Sequence, residues 1–109
     1  VLLNNGEIVV GSNQENVAFP SGTCAERTAL FYTGANYPDK KIKKIVVVAK
    51  GEFADLDSVL SPCGGCRQVM LESESRQSDP IEVILVSQNE KTIRLKSVAD
   101  LLPFAFTAK

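Results

Sequence analysis

Hydrophobic residues along the chain fall into short runs separated by turn-forming clusters. Val1 to Leu3 and Glu7 to Ser12 are apolar or alternating and flank Asn4-Asn5-Gly6, which supplies the positive φ of a tight hairpin turn. They predict two strands. Residues 13–23, NQENVAFPSGT, are polar and interrupted by Pro20 and Gly22, as in a loop running up to a helix whose N-terminal region holds Cys24 and which Gly34 closes. The β-branched run Ile45-Val46-Val47-Val48, inside Lys43 to Lys50, has the density of a buried central strand. After the loop GEFADLDSVL, Ser61-Pro62 opens a second helix that offers Val69, Met70 and Leu71 for packing. Gly64 and Gly65 weaken its first turn, so their expected use is close backbone approach. Ile81 to Ser87 and Thr92 to Leu95 read as strands, and the four-residue connection Gln88 to Lys91 is too short for a parallel crossover, which makes the pair antiparallel. Val98 to Leu102 forms a short helix before Pro103 and the apolar tail Phe104-Ala105-Phe106. The order β-β-α-β-α-β-β-α predicts an α/β fold: a mixed five-stranded sheet, last two strands antiparallel, with helices on its faces.

Composition narrows the class without changing that outline. The 109 residues make one domain, and 44% hydrophobic with 23% charged residues is the balance of a globular chain. No apolar run approaches the roughly 18 residues of a membrane span. Lys+Arg of 12 against Asp+Glu of 13 gives a net charge of -1, so there is no overall positive field to draw the chain onto nucleic acid or anionic lipid. The Lys40-Lys41 and Lys43-Lys44 cluster is a solvated strand entrance on this reading. Three cysteines cannot all pair and no signal-peptide pattern is present, which makes the cytoplasm the expected compartment. The sequence opens directly on a hairpin, and an N-terminal segment before Val1 is expected.

Chemistry concentrates at the cysteines. Cys63 and Cys66 form a C-x-x-C pair, a spacing shared by redox couples, structural zinc knuckles and catalytic metal sites. Cys24 is the third thiol, and like the pair it falls at a predicted helix N-terminus, where backbone N–H groups and the helix dipole favour thiolate. Structural zinc takes four protein ligands, whereas catalytic zinc takes three and keeps one position for water. Three cysteines and no histidine match the second count, and three soft thiolates favour zinc over magnesium or calcium. Glu26, two residues after Cys24 in the first turn, is placed to take and return the proton of a water on that metal. Arg27 and Arg67 follow ligands closely, and guanidinium donation to the sulfurs would offset the net negative charge of three thiolates on a divalent ion.

Taken together, these residues resemble the small homo-oligomeric cytidine deaminases. The resemblance rests on Asn13-Gln14-Glu15-Asn16, on Cys24-Ala25-Glu26-Arg27, on Pro62-Cys63-Gly64-Gly65-Cys66-Arg67-Gln68 and on Leu101-Leu102-Pro103-Phe104-Ala105-Phe106, and it covers essentially the whole chain. It implies the three-layer α/β/α fold of that family, with zinc (Zn2+) on Cys24, Cys63 and Cys66, an activated water attacking C4 of cytosine, and Glu26 moving the proton to N3 and then to the departing amine. It further implies that Asn13 and Glu15 bind the ribose hydroxyls. The N–H groups of Ala25 and Cys63, with the Ser61 carbonyl, frame the base and the leaving ammonia. Phe106 reaches the pyrimidine of a neighbouring subunit in a homotetramer or dimer. Phe19 stands where family members often carry Tyr, and family members have an N-terminal helix that precedes the first strand.

The reaction expected from the resemblance is hydrolysis of cytidine and 2′-deoxycytidine to the uridine nucleosides in pyrimidine salvage. Three other readings compete with it. A deaminase of a nucleoside antibiotic such as blasticidin S is disfavoured by the N-x-E-N ribose signature. A non-catalytic zinc or thiol redox module would be indifferent to Glu26. Editing of RNA or DNA is disfavoured by the lack of a basic surface.

Overall fold

The computed structural model describes residues 1–52 and 55–108. Its first element, β1 (Leu2–Leu3), turns through Asn4-Asn5-Gly6 with Gly6 at φ 89°, and the Leu3 N–H donates to the Glu7 carbonyl at 2.9 Å. The turn is therefore where the sequence puts it. The second arm is not a strand: Ile8 forms an isolated bridge to Leu2, Val9 exchanges two backbone hydrogen bonds with Val1, and the chain then lays Gly11 against a helix. The sheet thus has four strands rather than the expected five.

A one-turn 3-10 segment (Phe19–Ser21) leads to α1 (Ala25–Asn36), with Cys24 as its N-cap. Gly34 does not close this helix. Ala29, Leu30 and Thr33 are buried on its inner face, and the Tyr37 N–H still reaches the Thr33 carbonyl at 2.8 Å. Packing outweighs the roughly 1 kcal/mol that a helical glycine costs relative to alanine, and the helix runs on until just before Pro38. Strand β2 (Ile42–Val48) follows, then α2 (Gly64–Ser75) with Cys63 as N-cap, β3 (Glu82–Val86), β4 (Thr92–Leu95) and a 3-10 turn (Val98–Leu101). Part of the GEFADLDSVL loop, at residues 53 and 54, lies outside the described residues.

The sheet order is β1-β2-β3-β4. β2 and β3 are parallel, joined by α2, while β1 is antiparallel to β2 and β4 to β3, as expected for the short last connection. Ile45, Val83 and Leu85 share one face and are buried in a single core with Ala29 and Leu30 of α1 and Met70 of α2. Val46 and Val48 point the other way and are 51% and 67% exposed, so the β2 run is central in the sheet but covered on one face only. Among the described residues, helices cover that one face, and the expected third layer is not seen. Lys44, Glu82 and Arg94 form a charge ladder across the open face, and Lys41 pairs with Asp79 at 3.1 Å, so two lysines of the cluster have acidic partners. No helix among the described residues is long and apolar enough to cross a membrane.

Glu74, near the end of α2, ties the sheet to the C-terminal turn. Its carboxylate accepts from the Ile81 N–H at 2.8 Å, the Val98 N–H at 2.9 Å and the Ser97 hydroxyl at 2.8 Å. Removing it strands two backbone donors at once. Glu74→Ala is expected to cost about 2 kcal/mol of stability, seen in urea unfolding as a lower midpoint with an unchanged slope.

Candidate metal centre and its cleft

The two helix starts meet. Cys24 and Cys63 are both N-cap residues in extended conformation, Cys66 lies in the first turn of α2, and the three sulfurs are all within 4.8 Å of one another. A tetrahedral zinc with bonds of about 2.3 Å spaces its thiolates roughly 3.8 Å apart, so the trio needs only a small contraction to close on an ion. The donor set therefore fits zinc, and its count of three fits the catalytic type. No disulfide links the cysteines.

The three thiols are not equivalent. Cys63 is exposed, and the backbone N–H of Cys66, with that of Gly65, holds its pKa below the ordinary thiol value. Cys66 is fully buried, and burial pushes its thiol well up, assisted by the neighbouring sulfurs of Cys63 and Cys24. Arg27 answers that cost: its Nη2 lies 3.6 Å from Cys24 Sγ, and the contacts with Cys24 and Cys66 raise the guanidinium pKa further. Its Nε is buried and has no hydrogen-bond partner among the described residues, a donor held beside the sulfurs.

Arg67 behaves differently from the expectation. None of its hydrogen bonds goes to a sulfur; Nε donates to the Pro62 carbonyl, Nη1 to the Leu101 carbonyl and Nη2 to Ser61 Oγ. One step along a helix rotates the side chain by about 100°, which turns Arg67 off the Cys66 side and towards the C-terminal segment. The two glycines also differ from their expected use. A Cβ at Gly64 would meet nothing within 4 Å, and one at Gly65 only Cys63 Sγ at 4.0 Å.

A cleft of about 500 Å³, within the size range of small-molecule sites, is walled by chain neighbours of the cysteines and not by the cysteines themselves. Asn13, Ala25, Glu26 and Ser61 line it, together with Val48 and Leu60. Glu26 and Ala25 also line a second, more apolar cleft of about 410 Å³ between the hairpin, α1 and β2. Glu26 thus borders both spaces. The Ala25 N–H is not a free donor, because Asn13 Oδ1 accepts it at 2.8 Å. Neither N-cap cysteine makes a capping hydrogen bond, so for α1 the cap comes from Asn13, far away in sequence. Glu15 is exposed and is not among the residues lining the cleft, and Phe19 is 86% exposed. Phe106 is also exposed, at 79%, with its carbonyl held by Gln68 Nε2 at 2.9 Å.

Gly11 carries a role that the sequence did not disclose. A Cβ there would lie 2.6 Å from the Ala25 carbonyl oxygen and 2.7 Å from the Ala29 nitrogen, both backbone atoms that cannot give way. The bare backbone at this point lets the loop bearing Asn13 rest on the first turns of α1. Its one legible signal was a glycine two residues before Asn13.

Comparison with known proteins agrees with this geometry. Residues 1–78 match the family described as the cytidine and deoxycytidylate deaminase zinc-binding region. The chain is 35% identical to a cytidine deaminase of Halalkalibacterium halodurans over 109 residues, which is 100% of this chain and 75% of that one. It is 36% identical to a cytidine deaminase of Sporosarcina psychrophila, covering 98% of this chain and 71% of the relative. The fold superposes on the crystal structure of a cytidine deaminase from Burkholderia pseudomallei with a TM-score of 0.77 at 35% identity, covering 96% of this chain and 76% of that one.

Gly11→Ala is expected to destabilise the protein by about 2 kcal/mol through overpacking against α1. Urea unfolding measures the loss, and metal titration should still find one zinc per three thiols, since the cysteines themselves are not displaced from their helices.

Proposed function

This chain belongs to the cytidine and deoxycytidylate deaminases, zinc-dependent hydrolases of C–N bonds, and we propose that it hydrolyses cytidine and 2′-deoxycytidine to the uridine nucleosides with release of ammonia. The observation that carries this reading is the convergence of Cys24, Cys63 and Cys66 at two helix starts with Glu26 on the adjoining cleft. Bound zinc supplies Lewis acidity, which makes a water acidic enough to act as a nucleophile near neutral pH. The chain's own residues supply the rest. Glu26, anchored in the first turn of α1, takes a proton from the attacking water and delivers it to N3 of the base, then takes the proton of the hydroxyl left on C4 and delivers it to the departing amine. Arg27 stays with the sulfurs and offsets the net negative charge of the thiolate site.

Substrate binding follows from which atoms are left free. The Asn13 carbonyl oxygen is committed to Ala25, so Asn13 offers its amide N–H groups, and a ribose hydroxyl accepts from them. Glu15 presents an acceptor carboxylate to a hydroxyl proton once the nucleoside is seated. Ala25 then forms cleft wall rather than a donor to the base, which leaves the Cys63 N–H and the Ser61 carbonyl to frame the amine. Residues 1–109 act as one catalytic domain on a small nucleoside, in the cytoplasm.

Glu26→Gln separates this reading from a structural zinc module. The variant is expected to keep its fold and zinc while losing turnover by about 10³-fold or more, measured as loss of the cytidine absorbance. A variant that turned over cytidine like the parent would overturn the assignment. Side-by-side rates on cytidine and blasticidin S decide the substrate, with cytidine preferred.

Assembly completes the proposal. Phe104 and Phe106 are 97% and 79% exposed at the end of the described chain, and we assign Phe106 to a neighbouring subunit's pyrimidine in a dimer or tetramer. Sedimentation of the parent is expected to give an oligomer, and Phe106→Ala should raise KM for cytidine by about fivefold.

A further inference from the structure

Arg67 and Gln68 end the P-C-x-x-C-R-Q motif, and neither holds the metal nor enters the chemistry above. Both side chains are nevertheless fully engaged. Arg67 donates to the Pro62 carbonyl at 2.7 Å, to Ser61 Oγ at 2.7 Å and to the Leu101 carbonyl at 2.9 Å. Gln68 Nε2 donates to the Phe106 carbonyl at 2.9 Å. Two adjacent residues, directly after the ligand Cys66, therefore grip the approach to the ligand Cys63 on one side. On the other they grip the C-terminal segment, at Leu101 and again at Phe106.

We propose that Arg67 and Gln68 are positioning residues that set the metal loop and the C-terminal aromatic segment as one unit. Arg67 fixes the Ser61–Cys63 segment against Leu101, which is buried in the core. Its planar fork reaches three oxygens at once, which a lysine ammonium on a flexible stem does not reproduce. Because Ser61 lines the cleft and Cys63 is a ligand, the same grip controls a substrate wall and a thiol. Gln68 fixes where Phe106 leaves the domain. The chain between the Leu101 and Phe106 carbonyls is tethered at both ends, which lowers the entropy lost when the ring is held against a ligand. The Gln68 half rests on the assignment of Phe106 to a neighbouring pyrimidine.

Two readouts test the pair in the zinc-loaded full chain: zinc release to a chromophoric chelator, and kcat and KM for cytidine. Arg67→Lys keeps the charge and loses the fork; it is expected to speed zinc release about tenfold, as loss of a group orienting a metal ligand does. Ser61→Ala removes a single acceptor at an exposed site and should shift zinc release the same way by less, which keeps the test available if Arg67→Lys does not fold. Gln68→Ala should leave zinc release unchanged and raise KM about fivefold with kcat held. In a Phe106→Ala background the same Gln68 change should add nothing. Zinc release unaltered in both Arg67→Lys and Ser61→Ala overturns the Arg67 half. If Phe106→Ala raises KM but Gln68→Ala does not, or the two effects simply add, the Gln68 half is overturned while the assignment of Phe106 stands. If Phe106→Ala leaves KM unchanged, that assignment fails and takes the Gln68 half with it, and zinc release still judges Arg67.

Discussion

Everything in this protein depends on two helices beginning at the same place. Three sulfurs drawn from distant parts of the chain meet only because Cys24 and Cys63 are the N-caps of α1 and α2 and Cys66 lies in the first turn of α2. A cysteine at an N-cap is a poor cap, since its side chain makes no capping hydrogen bond here and the opening N–H groups must be satisfied elsewhere. For α1 that partner is Asn13, and this single 2.8 Å bond makes a loop residue part of the helix. For α2 the free N–H groups turn towards the Cys63 sulfur and favour its thiolate. The site is thus made from unsatisfied helix ends, and the loops around it exist to complete them.

Gly11 and Arg67 are consequences of that arrangement. Asn13 reaches the Ala25 N–H only if its loop comes down onto α1, and the 2.6 Å clearance at Gly11 shows how close the approach is. On the other helix, Arg67 ties the Pro62 carbonyl, just before Cys63, to the Leu101 carbonyl of the C-terminal turn.

What could be read from the sequence was whatever depends on local pattern. The hairpin turn at Asn4-Asn5-Gly6, the antiparallel β4 and the placement of both cysteine locations at helix starts all follow from residue type and spacing. The thiol count needed no structure at all. What could not be read depends on contacts between distant segments. Gly34 looked like a helix end because the burial of Thr33 beside it is invisible in one dimension. The Ile45 to Val48 run looked buried on both faces, since β-branched residues say nothing about which faces receive a helix. Arg67 was assigned to the sulfurs by adjacency alone, and neither the glycine at position 11 nor the motif position of Gln68 says that Ala25 and Phe106 are their partners.

The surroundings of Cys63 and Cys66 shift their thiols in opposite directions. Cys63 is exposed, and the backbone N–H groups of Cys66 and Gly65 lower its pKa and so favour its thiolate. Cys66 is buried, and burial penalises its thiolate; it releases a proton only when a positive charge compensates. Arg27 supplies part of that charge from the α1 side, and the ion supplies the remainder. Metal binding therefore couples α1 to α2 through their least solvated sulfur, and because ligand deprotonation is part of binding, affinity must rise with pH.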